Sequence, residues 1–120
     1  MKEEIKEIPF LPNYHISNYG NVYTTKACRY LKNNTDMRVL KPKITKDGYH
    51  FFGAYVIPNK KQWYNLHRMV WTMFRGPIPY KLQIDHLDSD KSNNHIDNLD
   101  LVTHIENMKR YKDRKNATKN

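Results

Sequence analysis

Cysteine is almost missing: Cys28 is the only one among 120 residues. An intrachain disulfide and a cysteine-rich zinc site are therefore both excluded. Long apolar runs are missing too. No stretch approaches the roughly 18 apolar residues of a membrane-spanning helix, and the opening residues Met1, Lys2, Glu3, Glu4 and Ile5 lack the apolar core of a secretory signal. No membrane partner and a cytoplasmic location are expected, so the two Asn-x-Ser/Thr sequons at Asn33 and Asn116 should stay unmodified. There is no internal repeat and no long Gly/Ser-rich or Pro-rich linker. One compact unit with appended pieces is the expectation.

Acidic residues are also scarce, 12 against 21 Lys plus Arg, which leaves a formal charge of +9. Such a surplus on a short chain favours a polyanionic partner, because lysine and arginine that neutralise phosphates release counterions. With 38% hydrophobic residues, the chain supports only a modest core.

Along the chain, Pro9 and Pro12 interrupt an acidic, helix-tolerant start, and the first ordered element is expected near Tyr14. Residues 14–23 hold two short alternating runs around Asn18, Gly20 and Asn21, the chemistry of a β-hairpin. Residues 24–36 are polar and unpatterned, which predicts a loop. Short strands are expected around residues 38–40, 49–56 and 62–66, with turns at Asp47-Gly48 and Pro58-Asn59. Leu66, Val70 and Phe74 then recur every fourth residue, with Met69 and Met73 alongside, as on one face of a helix that Gly76 and Pro77 end. Residues 79–84 read as extended, residues 85–98 as a polar loop and residues 99–102 as a return strand. Thr103 and Glu106 form a Thr-x-x-Glu capping box at the start of a second helix. The basic tail from Lys109 is expected to be its fraying end. The fold class is α+β: a β-rich N-terminal module over residues 1–61, then a strand–loop–strand–helix unit with a basic C-terminal helix over residues 62–120.

The chemistry concentrates in that second region. Asp85 and His86 close a strand, and Asn107 lies in the first turn of the following helix. If the helix packs across the hairpin, a carboxylate, an imidazole and an amide oxygen converge. Carboxylate and amide oxygens are hard ligands suited to Mg²⁺ or Mn²⁺, which leaves the histidine free. An imidazole with an ordinary pKa of about 6.5 is mostly neutral at pH 7 and can take a proton from water.

These residues resemble the HNH endonucleases with a ββα-metal site, and in particular the phage and intron-borne homing endonuclease branch. The resemblance rests on Asp85-His86, on Asn98 twelve residues after His86 and on Asn107 nine further on, framed by Asn93-Asn94, Val102-Thr103 and Glu106. The stretch His67 to Val70 with Phe74, and residues 14–22, also look like this branch, so the likeness runs from about residue 8 to 110. It implies that His86 activates water, that Asp85 and Asn107 bind one divalent ion, Mg²⁺ foremost and Mn²⁺ second, and that Asn98 braces the loop and helps to orient His86. The substrate it implies is double-stranded DNA, nicked to leave a 5′-phosphate and a 3′-hydroxyl. Two departures stand out: Asn107 stands where many relatives carry histidine, and no C-terminal helix-turn-helix extension is expected, so recognition of a long site is not expected either.

Plainer readings apply to the other candidates. Arg68, Lys109, Arg110 and Lys112 are the candidate DNA contacts, although a basic tail is often only a solvated face. Asp88, Asp90 and Ser92 hint at a calcium loop, but Asn93 and Leu99 occupy the positions where an EF-hand needs Gly and Glu. Asp88 is read as a solvated loop residue. His67 is expected to be a hydrogen-bonded packing residue, and His15, His50, His95 and His104 surface or structural ones, His104 being near the Asn107 face. Trp63, Trp71, Phe74, Met69 and Met73 are read as core, and the tyrosines of residues 14–23 as cover for a small sheet or as contacts to DNA sugars. The competing function is a non-catalytic basic DNA-binding module on the same scaffold.

Overall fold

The computed structural model describes residues 2–25, 36–57 and 59–117. Cys28 and most of the expected loop at residues 24–36 lie outside the described residues. Four short strands form the first sheet: β1 (Ile5–Glu7), β2 (Tyr14–Ser17), β3 (Val22–Thr24) and β4 (Arg38–Leu40), all antiparallel and in that order. The expected β2–β3 hairpin is present, with Ile16 opposite Val22. The expectation that order begins near Tyr14 is corrected, because β1 pairs Ile5 with Ser17. That strand has no strong pattern of its own and exists through its partner. Asn18 secures it, accepting from the Glu4 N–H (2.7 Å) and donating to the Lys2 carbonyl (3.1 Å).

The second sheet contains β5 (Lys43–Ile44), β6 (His50–Ile57) and β7 (Lys60–Asn65). Strand β7 crosses the expected boundary at residues 61 and 62, and its pairing with β6 runs from Lys60 to Asn65. Alternation along β7 turns Tyr64 toward the core and Trp63 outward. Trp63 is thus not a core residue: it is 49% exposed and flanked by the ammonium groups of Lys43 and Lys61, 5.0 and 4.9 Å from its ring centre.

Helix α1 (Leu66–Arg75) follows β7 directly and buries Leu66, His67, Met69 and Val70. Its end matches the sequence signal: Gly76 adopts φ 114, a left-handed conformation that glycine takes without a Cβ clash. Strand β8 (Leu82–His86) starts two residues after Tyr80, where Lys81 turns the chain with φ 71, so the extended run begins later than residue 79. It pairs with β9 (Leu99–Thr103), His86 standing opposite Leu99 and Asp85 opposite Asp100. A single 3₁₀ turn, Ile96–Asn98, leads into β9.

One apolar cluster unites these parts. Ile8, Leu11, Tyr14, Ile16 and Val22 pack with Phe52, Leu66, Val70, Ile84, Ile96 and Leu99. The regions 1–61 and 62–120 therefore share a core. Tyr14 belongs to it, its hydroxyl accepting from the Tyr55 N–H, whereas Tyr23 donates to Glu3 (2.7 Å).

Helix α2 (His104–Ala117) buries none of its residues. Only half of the expected capping box forms: the Thr103 hydroxyl accepts from the Glu106 N–H (3.1 Å), while the Glu106 carboxylate turns to Arg110 four residues on. The basic segment from Lys109 is not a frayed end, since the helix continues through Ala117. Among the described residues, no helix is long and apolar enough to cross a membrane.

Candidate active site

A cavity of about 510 Å³ opens between β8 and α2, lined among others by Gln83, Asp85, His86, His104, Asn107 and Arg114. The strand–loop–strand–helix path brings Asp85, His86 and Asn107 to this one wall, as a helix packed across the hairpin should. Asp85 and His86 are adjacent in β8, so their side chains leave opposite sides of the strand locally. Both are nevertheless buried, at 6% and 4% exposure.

The His86 ring makes one hydrogen bond among the described residues, Nε2 to Asn94 Oδ1 at 2.8 Å. An amide oxygen only accepts, so Nε2 is the donor in this bond, and in the neutral ring that leaves the lone pair on Nδ1. Asn94 is set in that sense by its own amide nitrogen, which points at the Ser92 carbonyl (3.5 Å). A neutral ring with a bare Nδ1 can accept a proton from a water molecule.

Asn98, expected to help orient His86, bonds elsewhere. Its amide donates to Asp88 Oδ1 (2.9 Å) and to the Asn93 carbonyl (2.9 Å), its oxygen accepts from the Asp88 N–H (3.0 Å), and its own carbonyl accepts from the Leu87 N–H (2.8 Å). Asn98 ties the two ends of the loop, and Asn94 holds the ring. Asp88 is a loop brace as well, collecting donors from Asp90, Asn93 and Asn98, which hold its carboxyl below the ordinary carboxylate range.

Asp85 is clamped by two arginines that follow one another by a helical turn. Arg114 forms a fork with Nη1 to Oδ1 (3.0 Å) and Nη2 to Oδ2 (2.9 Å), and Arg110 Nη1 reaches Oδ2 (3.0 Å). Burial pushes the Asp85 carboxyl up, but the hydrogen bonds and charges of Arg114 and Arg110 together outweigh it and hold it below its ordinary value. Arg110 also pairs with Asp100 (2.9 Å) and Glu106 (3.3 Å). Its guanidinium, a candidate DNA contact, is thus paired with three carboxylates in the chain.

The donor chemistry fits a hard divalent cation. Asp85 commits three of its roughly four lone-pair positions to the arginines, leaving one on Oδ1. Asn107 donates Nδ2 to Gln83 Oε1 (2.8 Å), which leaves its own oxygen as the uncommitted end in the same cavity. Among the described residues, no group of three or more His, Cys, Asp and Glu side chains is placed to hold a metal. A cation between Asp85 and Asn107 would complete its shell with water and phosphate, the usual arrangement for Mg²⁺.

Lys109 and Lys112 are exposed on α2, available to a polyanion. Arg68 is exposed too, but in a separate groove beside Phe10, Trp63 and Ile78, away from the Asp85–Asn107 cavity. His67 packs under the site with its ring centre 5.3 Å from that of His86, and its Nδ1 is buried without a hydrogen-bond partner among the described residues, contrary to expectation. Burial, with His86 and Arg68 nearby, pushes its pKa down to about 4, so it stays neutral. His104 is not a bystander, since its Nδ1 meets Gln83 Nε2 at 3.1 Å.

The chain's comparisons with known proteins agree with this geometry. Residues 64–109 match the family described as HNH endonuclease, and residues 3–53 match the NUMOD4 motif. DNA endonuclease I-HmuI of Bacillus phage SP01 is 35% identical over 91 residues, covering 76% of this chain and 47% of that protein. H-N-H endonuclease F-TflII of Escherichia phage T5 is 33% identical over 103 residues, covering 84% and 48%. A solved structure described as DNA binding and cleavage by the HNH homing endonuclease I-HmuI superposes with a TM-score of 0.74 at 33% identity, over 93% of this chain and 59% of that one. A two-stranded hairpin crossed by a helix, with an aspartate–histidine pair at the strand end, has the layout of a ββα unit, and residues 64–109, which contain it, are similar to the HNH endonuclease family. It spans about half the length of the curated relatives it matches.

Proposed function

We propose that the protein is a metal-dependent endonuclease that nicks double-stranded DNA. The observation that carries this reading is the His86 ring, held through Nε2 so that Nδ1 is left to take a proton from water, on the wall of the cavity that Asp85 and Asn107 share. His86 removes the proton as the water attacks phosphorus, and the leaving 3′ oxygen departs with the electron pair of its bond to phosphorus and takes a proton from solvent water, giving a 5′-phosphate and a 3′-hydroxyl. Asp85 and Asn107 supply oxygens for one divalent ion, Mg²⁺ in the first place. Such an ion, when bound, stabilises charge on the phosphate and on the departing oxygen. Asn98 keeps the loop closed behind the base.

Lys109 and Lys112 supply exposed positive charge beside the cavity for the DNA backbone. Arg110 and Arg114 have two kinds of anion to pair with, Asp85 and a DNA phosphate, and a bound phosphate would draw them from the carboxylate. That exchange couples DNA binding to cation binding. Supercoiled plasmid with Mg²⁺ tests the proposal: open circles should appear before linear product, and EDTA should stop both. The competing reading, a DNA-binding scaffold without turnover, draws on the pairing of Asp85 with arginines and predicts retarded but uncut DNA.

A further inference from the structure

The tip of the β2–β3 hairpin lies against the loop that carries Asn94. Three contacts join them. The Asn18 carbonyl accepts from the Ile96 N–H (2.8 Å), and the Tyr19 ring stacks on His95 with centres 5.0 Å apart. Gly20 touches Asn94 itself: a methyl built on its Cα would lie 2.7 Å from the Asn94 carbonyl carbon and 2.8 Å from its Cβ. Gly20 also has φ +85, where an L side chain is strained in any case. The tip is rigid on its own account, since the buried Ser17 hydroxyl accepts from the N–H groups of Tyr19 and Asn21. Asn18 is anchored at its other end by Lys2 and Glu4.

Asn94 is only 3% exposed, and its oxygen takes the one hydrogen bond that the His86 ring makes among the described residues. We propose that residues 18–20 are a positioning element of the active site: they fix Asn94, and Asn94 fixes the ring orientation and tautomer of His86. The N-terminal region then does more than contact DNA, because the nuclease unit lacks a complete support for its base without it. The inference rests on the proposed role of His86. Asn94 and Gly20 are positioning residues, since neither meets the reacting atoms.

The test combines kinetics with a measurement that needs no cleavage. In the wild-type chain, free of metal and DNA, the ¹⁵N shifts of His86 should report hydrogen on Nε2. Asn94→Leu should lose that preference and lower kcat roughly 10- to 100-fold, the range seen when a group orienting a catalytic side chain is removed, with KM for DNA nearly unchanged. Asn94→Asp keeps an acceptor and should restore the tautomer and most of the rate. Gly20→Ala should lower kcat by an intermediate factor while DNA retention persists; if that variant does not fold, Tyr19→Leu, which removes the stack on His95, takes its place. The proposal is overturned if wild-type His86 carries its hydrogen on Nδ1, if Asn94→Leu cuts at the wild-type rate, or if the hairpin variants change DNA affinity alone. A wild type that never cuts would remove the nuclease reading, and the response of the tautomer to Asn94→Leu would still decide whether Asn94 orients the ring.

Discussion

Helices α1 and α2 pack on different parts of the molecule, α1 on β2, β6 and β7 and α2 on the β8–β9 hairpin, and are held by opposite forces. Helix α1 buries Leu66, His67, Met69 and Val70 in the shared core. Helix α2 buries nothing, and Ile105, Met108 and Tyr111 are 82%, 47% and 60% exposed. It is attached by the Arg110 and Arg114 clamp on Asp85, the Arg110–Asp100 pair, and the contacts of Asn107 and His104 with Gln83. Apolar contact is indifferent to ions, whereas each bond that seats α2 uses a group that DNA or a cation can also engage. Under the proposed function, one helix builds the fold and the other responds to DNA and cation.

The largest expected effect separates the two helices by core truncation. Val70→Ala or Leu66→Ala, at 0% and 2% exposure, should cost about 2–4 kcal/mol of stability from lost burial and the cavity left behind, whereas Met108→Ala should stay within roughly 0.5 kcal/mol. Equal losses in denaturant titrations would break the contrast.

Acid sharpens it next. His67 has a folded pKa of about 4, below its unfolded value, so between pH 6.5 and 4 the unfolded chain binds a proton that the native one refuses. Stability should therefore decline as pH falls through that window, by roughly 3 kcal/mol in all, and His67→Phe should flatten the slope. The Asp85 clamp answers at lower pH. A depressed carboxyl contributes stability that is present above the unfolded value and lost only as pH falls through the folded one, so the seating of α2 should fail below about pH 4. Amide exchange of α2 that rises already at pH 6 would contradict this order.

The smallest effect is expected at Arg114. Arg114→Ala frees both lone-pair positions that its fork occupies on Asp85. Calorimetry without DNA should find tighter Mn²⁺ binding, while the dependence of log K for DNA on log salt should become shallower by about 1. Unchanged cation affinity would mean that the arginine does not compete for the carboxylate.

What was legible in the sequence follows the same division. The hairpin at residues 14–23, α1 with its glycine stop, and the pairing of residues 82–86 with 99–103 each leave a local period or a turn residue. The convergence of Asp85, His86 and Asn107 was legible as well, because strand, return strand and capped helix fix their relative places. Strand β1 was not, since its pairing with β2 is what makes it a strand. Trp63 was misplaced because hydrophobicity alone does not say which face of β7 is inward. The loop brace expected of Asn98 is present, but the direct hydrogen bond to His86 comes from Asn94, a contact made by loop geometry that no spacing encodes. Arg110 and Arg114 were legible in principle: they lie three and seven residues beyond Asn107, on its helical face and toward Asp85. Read as members of a basic tail, they were not connected with Asp85.

The most direct measurement is cleavage of supercoiled plasmid by the wild type and by His86→Ala, side by side, in Mg²⁺ and in EDTA. Metal-dependent nicking that drops by at least about 100-fold in the variant, with DNA retention unchanged, is the predicted result. Nicking by His86→Ala at the wild-type rate would contradict the assignment of the base, and intact plasmid with both proteins, each still retaining DNA, would leave a binding module in place of a nuclease.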